Sequence, residues 1–301
     1  LNKLILVFSL MFLAIGLCGQ SVLPDRPNTL VWEVTSKKKP QYKSYIIGSN
    51  HLYGEKLLNS LRGVKDLILK SDLVIAESLP KTNEERQLSF DQKIPYNTLF
   101  SNQEIVILDS FLTTHQIANI KALDSAHFPV SRLLYIVFSE LTAENNSDLQ
   151  QLEEAMDNVI VRWAKDANIP LVGLDSGMTM KKDVLSLGME DIQMAEAIRS
   201  FVISPSLLKT DDSLRNIGGR YARMEIDYSF KSKPVYIENE SLRYLLVERN
   251  KYWMSRLPDY LSNKNCFVVI GIDHLKYKEG LLASLSKLGF NIRPVKLSLS
   301  L

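Results

Sequence analysis

Residues 45–54 read YIIGSNHLYG and residues 266–277 read CFVVIGIDHLKY. Each is an apolar, β-branched run followed by Gly-x-x-His-Leu, and together they use two of the chain's four histidines, His51 and His274. Glycine fills 13 of 301 positions, so a glycine three places before a given histidine is expected from composition roughly 4% of the time. Its recurrence points to one local design used twice. A buried strand ends at glycine, which permits a sharp turn or a positive φ, and the turn presents an imidazole at the sheet edge.

Working outward from the first frame, TLVWEV (29–34) and KSYIIG (43–48) read as two strands joined by TSKKKPQ, a hairpin. After the frame, residues 56–70 repeat apolar side chains at helical spacing, and DLVIAE (72–77) reads as a buried strand ending at Glu77. A strand, helix, strand unit makes its strands parallel and usually adjacent, so His51 and Glu77 should emerge on one sheet edge. The second frame sits in a similar unit: NCFVVIGIDHL, then a helix over KEGLLASLSKLG, then FNIRPVKL. Between them, Leu152, Met156, Val159, Ile160, Trp163 and Ala167 mark an amphipathic helix, and IPLVGLD is a strand ending at Asp175. The expected fold is therefore α/β: a mixed central sheet from two related strand-helix-strand halves, flanked by helices.

Residues 80–146 read as helical pieces, with QEIVILDSFL and SRLLYIVFSEL the clearest apolar stretches. His115 and His127 fall here outside any matching frame and read as structural or surface residues. Residues 177–240 are mostly helical and polar, broken at Pro205, Gly218-Gly219 and Pro234, and are expected to form a helical cap insertion or a scaffolding insert. Residues 21–301 read as a single domain. The following helix carries a stripe of Leu242, Leu246, Arg249, Trp253 and Leu257. An arginine on an apolar face must be paired, either in a structural salt bridge or as a clamp for a substrate carboxylate or a developing oxyanion.

With 46% hydrophobic and 23% charged residues the chain has a core to build and no disorder signature. A net charge of +2 is too near neutral to suggest a phosphate-binding surface, and Lys37-Lys38-Lys39 before Pro40 reads as a turn, so nucleic acid is not an expected partner. The first twenty residues carry an apolar run from Leu4 to Cys18, the length of a signal-peptide core and short for a membrane span. We expect a cleaved signal at 1–20 and a secreted or periplasmic domain with no membrane span in the mature chain. An uncleaved membrane anchor is the alternative, and Leu17 before Cys18 speaks against lipid attachment. Cys266 is then the only cysteine of the mature chain, so no disulfide forms within it. Asn145 and Asn239 begin Asn-x-Ser sequons that matter only in a glycosylating pathway.

Two such turns from neighbouring strands can aim His51 and His274 at one point, with Glu77 completing a two-histidine, one-carboxylate set that leaves positions open for water, as hydrolytic metal sites require. Turn histidines that only cap strands by hydrogen bonding are the alternative reading.

The chain also resembles the TraB/GumN family, bacterial relatives of the Tiki proteases. The resemblance runs through LVWEV, IIGSNHLYG, SDLVIAES, AMDNVIVRWAKDANIPLVGLDS, VERNKYW and FVVIGIDHLKYKEGLLASLSKLGFNIRPV. It is most specific at the two Gly-x-x-His turns, the acid ending the strand after the first, and the Arg-Asn pair of the late helix. It implies a fold similar to erythromycin esterase and ChaN-type proteins and a metal-dependent, peptidase-like hydrolase acting on a peptide or small molecule, with manganese or cobalt favoured as the divalent cation; zinc is the further candidate. It places His51 and His274 on the metal, Glu77 as ligand or general base, Arg249 as electrostatic partner and Asp157 as a further acidic residue. If Glu77 ligates the metal, Asp157 or Asp175 must act as base. Asp175 stands where many members have glutamate, and Asn50 and Asp273 precede the histidines where other residues are common. The alternatives are a non-catalytic metal- or haem-binding envelope protein and an accessory factor in polysaccharide export.

Overall fold

The computed structural model describes residues 23–51, 53–79, 94–143, 154–176, 189–203, 217–233 and 244–299. The expected signal segment 1–20, Asn145 and Asn239 lie outside the described residues.

Six strands form one mixed sheet: β1 (Val31–Ser36), β2 (Lys43–Ser49), β3 (Leu73–Ala76), β4 (Leu171–Gly173), β5 (Cys266–Gly271) and β6 (Phe290–Pro294), in the order β4-β3-β5-β2-β1-β6. β1 and β2 make the expected antiparallel hairpin, with Trp32 opposite Ile46. β4, β3, β5 and β2 run parallel, so their carboxyl ends share one edge.

One expectation about the sheet needs correction. β2 and β3 are parallel, as a strand, helix, strand unit requires, but they are not neighbours: β5 lies between them, with Tyr45 and Val74 both paired to Phe267. The physical reason is the apolar load of β5, whose residues Cys266 to Ile270 are all 0% exposed. A parallel strand that hydrophobic needs cover on both faces and pairing on both sides.

The helices used below are α1 (Glu55–Ser60), α2 (Val64–Leu69), α3 (Asn102–Thr114), α4 (Val130–Ala143), α5 (Met156–Asp166), α6 (Met189–Ile198), α7 (Arg249–Met254), α8 (Leu257–Asn263), α9 (Ile272–Leu275) and α10 (Leu281–Lys287). Strand alternation divides the sheet's side chains between two layers. Phe267 and Val269 of β5 join Ile47 and Val74 against Leu57, Val64, Ile68, Val159, Ile160 and Trp163 from α1, α2 and α5. Cys266, Val268 and Ile270 join Trp32, Ile46 and Ile75 against Trp253, Leu257, Leu261, Leu281 and Leu285 from α7, α8 and α10. Burying each such large apolar side chain contributes about 1.5–3 kcal/mol relative to exposure.

The apolar stretches of residues 103–112 and 131–141 are helical, within α3 and α4. With α6 and the wider-pitched turn Arg199–Ile203 they build a third core around Leu108, Leu112, Leu133, Val137, Ala195 and Ile198. Within 177–240 the described residues divide. Residues 189–203 join that helical layer, whereas Tyr221, Tyr228 and Phe230 pack into the cores of the sheet. No described helix is long and apolar enough to cross a membrane.

Candidate functional site

Four parallel strands bring four ionisable residues to one edge. His51 lies two positions beyond β2, Glu77 immediately beyond β3, Asp175 two beyond β4 and His274 three beyond β5. The two glycines of the repeated frame have a different job from the one expected. Gly271 has φ −50 and Gly48 has no positive φ, so neither is needed for a left-handed turn. Both are needed for space. A Cβ on Gly48 would overlap Ile272 Cδ1 and stand 3.1 Å from Leu275 Cδ1, so α9 of the second frame seats directly on the glycine of the first. A Cβ on Gly271 would stand 3.0 Å from Glu77 Oε1, and the bare backbone there lets its N–H donate to that oxygen at 2.6 Å.

Arg249 opens α7 and, as its place in an apolar stripe demanded, is paired. Nη2 donates to Glu77 Oε2 and to Asp175 Oδ2, both at 2.8 Å, and Nε donates to Asp175 Oδ1 at 3.3 Å. The guanidinium also lies over the Trp253 ring at 4.5 Å, and the Trp253 indole N–H donates to Asp175 Oδ1 at 2.9 Å. Burial disfavours the charge on Arg249, but Glu77 and Asp175 outweigh it and keep the guanidinium ionised. Burial likewise works against ionised Glu77, and the neighbouring His274 and Arg249 side chains together with the Gly271 N–H hold its carboxyl below the ordinary range.

His274 is 4% exposed and stands between two consecutive residues of α7. Its Nε2 faces Arg249 Nη1 at 3.3 Å and its Nδ1 faces Asn250 Oδ1 at 2.8 Å. The Asn250 amide NH2 donates to the His274 carbonyl at 3.1 Å, so its oxygen is the atom toward Nδ1 and Nδ1 carries the proton. Nε2 therefore bears the lone pair. Burial, with Arg249 acting in the same direction, pushes this imidazole down to about 4 against the pull of Glu77, and it is neutral at physiological pH. Trp253 packs on the ring at 4.4 Å between centroids.

His51 is the exposed partner, 58% accessible, with Nε2 at 3.4 Å from Asp157 Oδ2. Asp157 lies in the first turn of α5, which places its carboxylate beside the turn after β2. The hydrogen bond that the His51 ring donates to the Asp157 carboxylate raises the His51 pKa against an opposing effect of burial, with the charges of Asp157 and Glu77 adding to the rise. Asp157 is itself held low by His51 despite burial. Beneath this turn the Tyr221 hydroxyl donates to the Gly48 carbonyl at 2.6 Å, and its ring stacks on Tyr53. His115, by contrast, pairs with Glu140 at 3.0 Å within the helical layer, away from this edge.

All the expected site residues thus reach one edge, in two groups: His51 with Asp157, and Glu77 with Arg249, Asp175 and His274. Asn250 and Trp253 complete the second group. Asn250 lay within the Arg-Asn pair of the resemblance and Trp253 within the apolar stripe, but neither position carried a sign of its role. The donor set expected for a divalent cation does not close around one point. His274 presents a suitable lone pair, but a guanidinium nitrogen stands against it, and His51 is turned to Asp157. Among the described residues no group of three or more His, Cys, Asp or Glu side chains is arranged to hold a metal ion.

Compared with known protein families, the chain matches the TraB/PrgY/gumN family over residues 30–294, nearly all of the described fold, and it belongs to that family. No curated protein and no solved structure matches it.

Proposed function

We propose that this member of the TraB/PrgY/gumN family is a hydrolase, peptidase-like in its chemistry, working at the carboxyl edge of the parallel strands. The observation that carries the reading is the placement on one edge of an exposed imidazole backed by a carboxylate and a guanidinium locked between two carboxylates. His51, tuned upward by Asp157, takes a proton from the attacking water and returns it to the leaving group. Arg249, fixed in orientation by Glu77 and Asp175, supplies positive charge where the substrate carbonyl oxygen becomes negative, with little reorganisation at the moment of reaction. In the family-based expectation a divalent cation activates the water; in this reading side chains of the chain supply both the base and the positive charge. The apolar run from Leu4 to Cys18 supports export, so peptides or small amides and esters outside the cytosol are the substrates we infer.

The test is an unbiased peptide-cleavage screen together with chromogenic esters, run on the wild type and on His51→Gln. The variant should retain its circular dichroism spectrum and lose about a hundredfold or more in kcat/KM. Equal activity of the two proteins would refute the role of His51.

A further inference from the structure

We propose that Arg249 is the resident cation of this site and that the chain's chemistry proceeds without a metal ion; the activity arm of this inference rests on the hydrolase reading above, whereas its binding arm does not. The guanidinium fills the position a cation would take. It contacts an oxygen of Glu77, both oxygens of Asp175 and the Nε2 side of His274. Those are three of the side chains from which a ligand set at this edge would be drawn.

Each of the three is already engaged by other groups of the chain. The His274 ring is pinned by Asn250 at Nδ1 and at the carbonyl and by Trp253 on its face, so its lone pair is aimed at Arg249. Glu77 Oε1 is tied to the Gly271 N–H at 2.6 Å, with no side chain there to yield space. Asp175 is tied to both Arg249 and the Trp253 indole N–H. The remaining imidazole, His51, is paired with Asp157.

A dication at His274 Nε2 and Glu77 Oε1, which lie 3.8 Å apart, would sit in contact with a fixed positive charge. Otherwise it would have to expel a guanidinium that is 15% exposed and stacked on tryptophan. Like charges at that separation repel strongly in a partly buried site, and an evicted guanidinium loses both of its partners. Glu77 and Asp175 together carry two negative charges, one of which Arg249 balances. What Arg249 occupies is the oxygens themselves: one of Glu77 and both of Asp175 accept from its N–H groups.

The experiment measures metal directly. Wild-type protein purified without chelator or affinity metal is examined by elemental analysis, by thermal unfolding with millimolar MnCl2, CoCl2 or ZnCl2, and by the visible spectrum with cobalt. We expect far less than one equivalent of bound metal, an unchanged Tm and no cobalt band. A site loaded to a hundredfold above its Kd would instead raise Tm by about 5 °C or more. A rise of that size that disappears in His274→Ala, or one equivalent of tightly held metal, would overturn the proposal.

Arg249→Met supplies the converse arm. With the guanidinium gone, His274, Glu77 and Asp175 are released to bind a cation, and a cobalt or zinc stabilisation absent from the wild type should appear. If Arg249→Met does not fold, the wild-type measurements decide alone. Should the wild type cleave nothing in any screen, the hydrolase reading fails while the metal result stands. Should it cleave, EDTA is expected to leave the rate unchanged, and chelator-sensitive cleavage restored by added metal would refute the resident-cation proposal alone.

Discussion

Asn250 and His274 hold each other by two hydrogen bonds, Oδ1 accepting from Nδ1 at 2.8 Å and the amide NH2 donating to the backbone carbonyl at 3.1 Å. The pair joins α7 to the turn after β5 and decides which imidazole nitrogen carries the proton. Asn250→Leu keeps the branched shape and removes both bonds, leaving a buried N–H and a carbonyl without a partner. The expected cost is about 2–4 kcal/mol, read as a lower urea midpoint at unchanged m value. Asn250→Asp puts a carboxylate on Nδ1 and should raise the His274 pKa from about 4, measured by NMR titration of the ring nitrogens.

Acidification provides a second test. The folded-state pKa of His274 is depressed to about 4 from an ordinary 6.5. Its contribution to stability is therefore complete above the ordinary value and lost as pH falls toward the depressed one, because the unfolded chain takes up the proton first. Tm should decline between about pH 6.5 and pH 4. In His274→Gln that part of the decline should be absent, and an identical pH profile would contradict the buried neutral imidazole.

The activity profile moves in the opposite sense. Asp157 raises the His51 pKa, and a general base works only when deprotonated. The acid limb of kcat/KM should therefore lie above the ordinary histidine range and shift to lower pH in Asp157→Asn, with a loss of rate. A limb that stays where it was in Asp157→Asn would remove Asp157 from the mechanism.

Gly48 and Gly271 are required for space, so adding one methyl group should be costly at both. Gly48→Ala collides with Ile272 and Gly271→Ala presses on the Glu77 carboxylate. Each is expected to destabilise by about 1–3 kcal/mol in denaturant titration. Gly271→Ala should in addition reduce activity more than its stability loss explains, because it displaces the carboxylate that orients Arg249.

Local pattern made much of this legible. Alternating apolar runs announced the hairpin and the parallel units, and the first residues after those runs turned out to be the residues at the edge. Arg249 was readable because a charge in an apolar stripe requires partners; which partners, Glu77 and Asp175, depended on strand order. That order was not legible, since the insertion of β5 between β2 and β3 is a pairing of segments some two hundred residues apart and leaves no trace in the spacing of either. The two glycines were readable as important but not for the right reason, because close approach to another segment and a positive φ look alike in one dimension. Asn250 was marked by the resemblance but its role was not legible, as a single amide beside a charged residue breaks no periodicity.

The central place of β5 bears on how the molecule comes into being. The strand that separates β2 from β3 begins only at residue 266 of 301, so a growing polypeptide has a gap where the middle of its sheet will be. β3 has neither β2 nor β5 beside it until residues near 270 have left the ribosome. Nascent chains shorter than that should remain protease-sensitive, and closure of the sheet and assembly of the edge that carries His51, Glu77, Asp175 and His274 become a single late event.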